Sequence, residues 1–84
     1  MKQTQYNGWT NYETWLLYSF MESTDIDYWY NHTSNAIQLA AELKESYTES
    51  IPDSIDSSSI WFAIITASLS EVNWYEIANH ILNQ

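Results

Sequence analysis

Glycine occurs once in this chain, at Gly8, and proline once, at Pro52, so the turns must be punctuated by other means. Helix caps supply the punctuation. Thr10-Asn11-Tyr12-Glu13 reads as a capping box, with the Thr10 hydroxyl accepting from the Glu13 amide and the Glu13 carboxylate reaching back to the Thr10 amide. A first helix is expected there. Tyr12, Trp15, Leu16 and Phe20 fall on one face, and Leu17, Tyr18 and Met21 make it apolar over much of its girth, so it is expected at the centre of the fold. Ser23 or Thr24 caps a short second helix through Asp25, Ile26, Asp27, Tyr28, Trp29 and Tyr30, stopping near Asn31. Ser34 caps a third, with Ala36, Ile37, Ala40, Leu43, Lys44 and Tyr47 as its buried stripe.

The stretch 48–59 holds Pro52 together with serines and the acids Glu49, Asp53 and Asp56, and reads as an acidic, Ser-rich loop. Ile60, Trp61, Ala63, Ile64, Ile65, Ala67 and Leu69 are apolar nearly all round, which predicts a helix buried on several sides. A strand over Ile60 to Thr66 is the alternative, because the residues are β-branched and aromatic enough. Asn73-Trp74-Tyr75-Glu76 is a second capping box. Val72 before it staples onto Ile77, and Trp74, Ile77, Ala78, Ile81 and Leu82 complete one clean helical face. The predicted architecture is all-α: a compact bundle of four to five short helices in a single domain spanning 1–84, with residues 1–9 as an N-terminal arm.

A chain of 84 residues buries only roughly 60 to 65 percent of its unfolded surface, so its core must be rich for its size. Five Trp, seven Tyr and two Phe meet that need. With no Cys there is no disulfide framework, thiolate metal site or cysteine nucleophile. No apolar run reaches the roughly 18 to 20 residues of a membrane span, and Met1 to Tyr6 lacks the form of a signal peptide, so a soluble, cytoplasmic protein is expected. Without a secretory signal, the sequon Asn31-His32-Thr33 is not expected to carry glycan.

Two sequence segments resemble a known family. Asn7-Gly8-Trp9-Thr10-Asn11-Tyr12-Glu13-Thr14-Trp15 resembles the opening of a family of small phage and bacterial proteins in which the string WTNYETW recurs. Leu69-Ser70-Glu71-Val72-Asn73-Trp74-Tyr75-Glu76-Ile77-Ala78 resembles that family's closing segment, so the likeness brackets the chain at both ends. The middle, Asp25 to Asp56, follows no pattern of the family. The resemblance implies a small, largely helical protein of the kind commonly encoded by phages and mobile elements, with no assigned activity and no catalytic residues to carry over. Both motifs coincide with the capping boxes, which marks them mostly as folding signals.

Charge carries the functional reading. Eleven Asp and Glu stand against two lysines, a formal net charge of -9, which disfavours phosphate backbones and anionic membranes and favours basic protein surfaces. Tyr28, Trp29 and Tyr30 in succession cannot all face one core, so at least one ring is expected at the surface. Base stacking is disfavoured because single-strand binders surround such rings with basic residues, whereas here the neighbours are Asp25 and Asp27. Asp25-x-Asp27 does not continue as a calcium loop, since Trp29 takes the third oxygen position. His32 and His80 have no more than chance metal-ligand spacing to carboxylates, although Glu76 and His80 are one turn apart. No serine is organised with a histidine and an acid, and no Gly-rich phosphate cradle exists, so neither catalysis nor a cofactor is implied.

Glu42, Glu45 and Glu49 are spaced i, i+3 and i+7. If the third helix reaches Glu49 they form one negative ridge with about 10 Å of axial rise, continued by Asp53 and Asp56 into the loop. Phosphates along one DNA strand are about 3.4 Å apart in axial rise. A rigid carboxylate row of comparable scale suits a groove built for nucleic acid. The expected function is inhibition of a host nucleic-acid-handling complex by occupation of its basic channel, of the anti-CRISPR or antirestriction kind, in the bacterial cytoplasm. The second reading is a regulatory or structural adaptor that grips its partner through the exposed aromatics of Asp25 to Tyr30.

Overall fold

The computed structural model describes residues 6–83. Helices α1 (Tyr12–Ser19), α2 (Ser23–Tyr30), α3 (Ala36–Glu49), α4 (Ile60–Ser70) and α5 (Trp74–Leu82) follow one another. Among the described residues the only β pairing is one antiparallel bridge between Tyr6 and Trp9. The fold is therefore the expected small all-α domain, and Ile60 to Thr66 is helix, not strand.

The centre is α5 packed on α3, not α1. One stripe of α5 is apolar and the rest polar, so Ile77, Ala78 and Ile81 reach 0% exposure against Leu39 and Leu43 of α3, also at 0%. Each of these leucine and isoleucine side chains contributes about 1.5–3 kcal/mol by leaving water. The Trp74 ring stacks on Tyr47 of α3 with centroids 6.0 Å apart. Val72 and Ile77, the expected staple, both lie in this buried cluster. By contrast, α1 is apolar around much of its circumference, so no single face commits it to the centre. Thr14 is its only fully buried residue. Phe20, expected on the buried face, caps the C-terminus of α1 and is 78% exposed, while the next residue, Met21, enters the core.

The stripe of α3 is also rotated from expectation. Leu39 and Leu43 are buried and Ala36, Ala40 and Tyr47 pack against the core, whereas Ile37 and Lys44 face solvent. The positions 36, 39, 40, 43 and 47 follow the helical period better than a stripe through Ile37 and Lys44. The caps shift likewise. Asn35, not Ser34, accepts from the Gln38 amide at 2.9 Å. The second helix starts at Ser23, with Glu22 rather than Ser23 or Thr24 at its cap position and the Glu22 amide donating to Asp25 Oδ2 at 3.2 Å. Ser59 caps α4 by accepting from Phe62 N. Because α3 continues through Glu49, the loop begins only at Ser50.

Each boxed motif keeps a cap of its own but makes its reciprocal bond to the other. Asn11, not Thr10, caps α1, accepting from the Thr14 amide at 2.9 Å and the Thr14 hydroxyl at 2.6 Å. Asn is as good a cap as Thr, and the one-residue shift releases Thr10 for α5. The Thr10 amide donates to Glu76 Oε1 at 3.0 Å, and Asn73 Nδ2 donates to the Thr10 hydroxyl at 3.2 Å. Asn73 does cap α5, accepting from the Glu76 amide at 3.0 Å. Its own amide donates not to Glu76 but to Thr14 Oγ1, at 2.8 Å, and Asn11 Nδ2 donates to the Glu71 carbonyl at 2.7 Å. The caps themselves are thus local, while the Thr10 and Asn73 amides just ahead of the two helices are satisfied across the seam between the chain's two ends.

The described part of the N-terminal arm is a tight turn. Tyr6 and Trp9 exchange both backbone hydrogen bonds at 2.8 Å. Asn7 and Gly8 between them have φ of 50° and 86°, the left-handed pair a two-residue hairpin turn requires. The turn sets Trp9 against Tyr18 and His80, with ring centroids 4.9 Å away in each case. Residues 1–5 of the arm lie outside the described residues.

The molecule measures 38 × 36 × 21 Å. A thickness of 21 Å holds two helix layers at about 10 Å each, so a helix in either layer has one face inward and one outward. This geometry overturns the expected several-sided burial of α4, which has no buried residue.

Candidate functional site

Because α3 runs through Glu49, the carboxylates of Glu42, Glu45 and Glu49 share one helix face, as their spacing predicts. The short α2 lies alongside. Trp29 turns inward and packs on the core, leaving Tyr28 and Tyr30 outside at 60% and 48% exposure. Tyr28, Trp29, His32, Glu42, Glu45 and Glu49 together line one open groove. The aromatic patch and the acidic ridge, separate features in the sequence, are two walls of one feature in space.

The rings are ordered against one another. Tyr28 meets Trp29 edge-on at 5.0 Å between centroids and lies over His32 at 5.7 Å. His32 Nε2 pairs with Glu42 Oε1, and Gln38 Nε2 donates to Glu42 Oε2 at 2.9 Å. The hydrogen bonds from Gln38 and then His32 hold the Glu42 carboxyl below its ordinary value of 4.5. Glu42 therefore stays ionised at any near-neutral pH while being tied at both oxygens. Glu45 and Glu49 stand exposed beside it.

The row continues past the helix. Glu49 also borders a second hollow with Asp53, Asp56, Pro52 and Phe62, so the acidic surface passes without a break from α3 into the loop. Asp56 has a structural duty there: its Oδ1 accepts from the Ser58 amide and hydroxyl, both at 2.9 Å. Those bonds lower its carboxyl from the ordinary 3.8.

The other candidates lie apart from the groove. Asp25 is spent on the Glu22 amide at the start of α2, close enough to Tyr47 that its charge adds to burial in raising that phenol. Asp27 is exposed on α2, and Tyr30 does not line the groove. Sequence reasoning missed His32, which it weighed only as a metal ligand. Its pairing with Glu42 crosses the α2–α3 turn, and no local spacing announces it. It also missed the turn at Asn7-Gly8, although that dipeptide is the strongest short hairpin signal.

His80 packs edge-on against Tyr18 at 4.8 Å and near Trp9. Among the described residues no group of three or more His, Asp or Glu is placed to hold a metal ion. No helix among them is long and apolar enough to cross a membrane. Comparison with family models, with curated proteins and with solved structures finds no match to this chain.

Proposed function

We propose that the protein binds a basic, nucleic-acid-handling host complex through the α2–α3 groove and its loop extension, and competes there with nucleic acid. The observation that carries this is the continuity of Glu42, Glu45, Glu49, Asp53 and Asp56 along one surface. A helix fixes the first three, so their charges are held in a row before any partner arrives, which lowers the ordering cost of binding. Tyr28 beside them adds an exposed ring of the kind that anchors protein interfaces. With a net charge of -9, long-range attraction to a cationic channel speeds association, and the same field repels nucleic acid itself.

Resemblance of the Trp9 to Trp15 and Leu69 to Ala78 segments to phage proteins narrows the partner to a bacterial defence complex, of the CRISPR effector or restriction type, met in the host cytoplasm. Mechanism on this reading is steric and electrostatic occupation, with no covalent step and no cofactor.

The test is competition. Purified CRISPR effector and restriction complexes are titrated with the protein at about 50 and 300 mM salt, and retained DNA is measured by gel shift. DNA should be displaced from at least one complex, and the protein's own affinity for that complex, measured without DNA, should weaken about tenfold or more at the higher salt. The protein alone should not shift DNA or RNA at micromolar concentration. Absence of displacement across the complexes, or direct nucleic-acid binding, defeats the proposal.

A further inference from the structure

Helix α4 is apolar on both sides, and the fold uses only one. Its inward row is Phe62, Ile65, Thr66 and Leu69, at i, i+3, i+4 and i+7, all half-buried. The opposite row holds Ile60, Trp61 and Ile64 at 68%, 67% and 50% exposure, with Ala67 and Ser68 beyond them. No ionisable residue lies between Ile60 and Ser70. Two of its three hydroxyls are turned onto their own helix: Thr66 Oγ1 donates to the Phe62 carbonyl at 3.0 Å and Ser70 Oγ to that of Ala67 at 2.6 Å. At Ser68 the row joins a largely apolar groove walled by Tyr12, Leu16, Phe20 and Val72, with Glu13 as its one charged side chain and Phe20 78% exposed. A contiguous apolar surface of this kind marks a place where something binds.

We propose that two copies of this chain associate through the outward face of α4. Charge selects the occupant. Helices α1, α2, α3 and α5 all carry carboxylates, and copies meeting on those faces would bring like charges together. Only α4 carries no charge of its own, so two bodies of net charge -9 can touch along it with just Glu13, in the adjoining groove, brought near the contact. A cationic partner, suited to the rest of the surface, finds no counter-charge here and would lose hydration against Trp61 and Ile64. A second copy loses nothing of the kind, and a face apolar from end to end is complementary to itself about a two-fold axis. Area agrees with this. The Trp61 and Phe20 rings, the two isoleucines and the adjoining groove offer roughly 500 Å² per copy, about half of the ~1,000 Å² total that a specific interface must clear.

Salt separates this contact from the acidic groove, because screening must strengthen it: the net electrostatic term between two copies of charge -9 is repulsion. Sedimentation equilibrium of the full chain over about 1–300 µM should show a dimer whose dissociation constant falls about threefold or more between about 50 and 500 mM salt. Trp61→Glu with Ile64→Glu should weaken it about a hundredfold, because charges would be buried against each other. Ile64→Gln, a milder change on an exposed position, should weaken it about tenfold. Circular dichroism of both variants should match wild type. Ile37→Glu, at the other highly exposed isoleucine, on α3, should leave the dimer unchanged. A wild-type chain that stays monomeric at the highest concentration and salt overturns the proposal. So does a dimer indifferent to the α4 variants, or one that tightens at low salt.

Discussion

The seam between the chain's ends and the groove between α2 and α3 are built from similar polar side chains, yet they are in opposite states. In the seam, Thr10, Asn11, Thr14, Asn73 and Glu76 spend their hydrogen-bonding groups on each other and on helix-start amides. In the groove, Glu45 and Glu49 stand exposed at fixed spacing, and only Glu42 is tied, to Gln38 and His32. A polar cluster that satisfies itself holds a fold together. One that leaves rigid charges facing water has capacity left for a partner. The sequence-specific motifs belong to the first kind and the acidic middle of the chain to the second.

Breaking the seam should cost most at Thr14, whose hydroxyl donates to Asn11 and accepts from the Asn73 amide at 0% exposure. Thr14→Val keeps the shape but strands that part-buried amide, and should lower unfolding free energy by about 2 kcal/mol in urea titration. If the variant unfolds like wild type, the seam is not what joins the two ends. Asn73→Ala removes the α5 cap and should cost about 1–2 kcal/mol. Thr10→Ala should cost only about 0.5 kcal/mol, because Thr10 caps nothing, its amide bond to Glu76 survives, and the side-chain bond lost is exposed. Equal losses at Thr10 and Asn73 would restore two independent capping boxes.

Acid should act on the groove through Glu42. Its folded-state carboxyl lies below the ordinary 4.5, so its contribution is fully present above that value and is lost as pH falls through the lowered one. Wild type should therefore lose stability relative to Glu42→Gln as pH drops from about 5 to 3, followed by thermal melts. A pH-independent difference between the two would remove the Gln38–Glu42–His32 tie from the account.

Much of this was legible in the residues. The α5 stripe, the helical nature of the chain and the Glu42, Glu45, Glu49 face follow from a period of 3.6 alone, which is a local rule. Spacing could not show that Thr10 pairs with Asn73 and Glu76 across |i−j| of 63 and 66, since only the packed fold brings those donors and acceptors together. Asn11 and Thr10 are near-equal caps, so tertiary bonding decides between them. Nor could composition tell which side of α4 would be covered: when both sides are apolar, the period gives an axis without a direction. Similarly, α1 looked central because its residues are large and apolar, whereas a helix enters a core by having one committed face.

The division of labour between seam and groove is tested most directly by matched triple variants in the competition assay. Glu42→Gln, Glu45→Gln and Glu49→Gln together remove three charges from the α3 face while nearly keeping size and helix propensity, so melting should stay within about 0.5 kcal/mol of wild type. DNA displacement from the susceptible complex should fall at least tenfold, with a flatter salt dependence. The same change at Glu13, Glu22 and Glu71 lowers net charge equally and should leave displacement within about twofold. Equal losses from both triples would mean that only total charge matters, and no loss from the first would contradict the assignment of the groove.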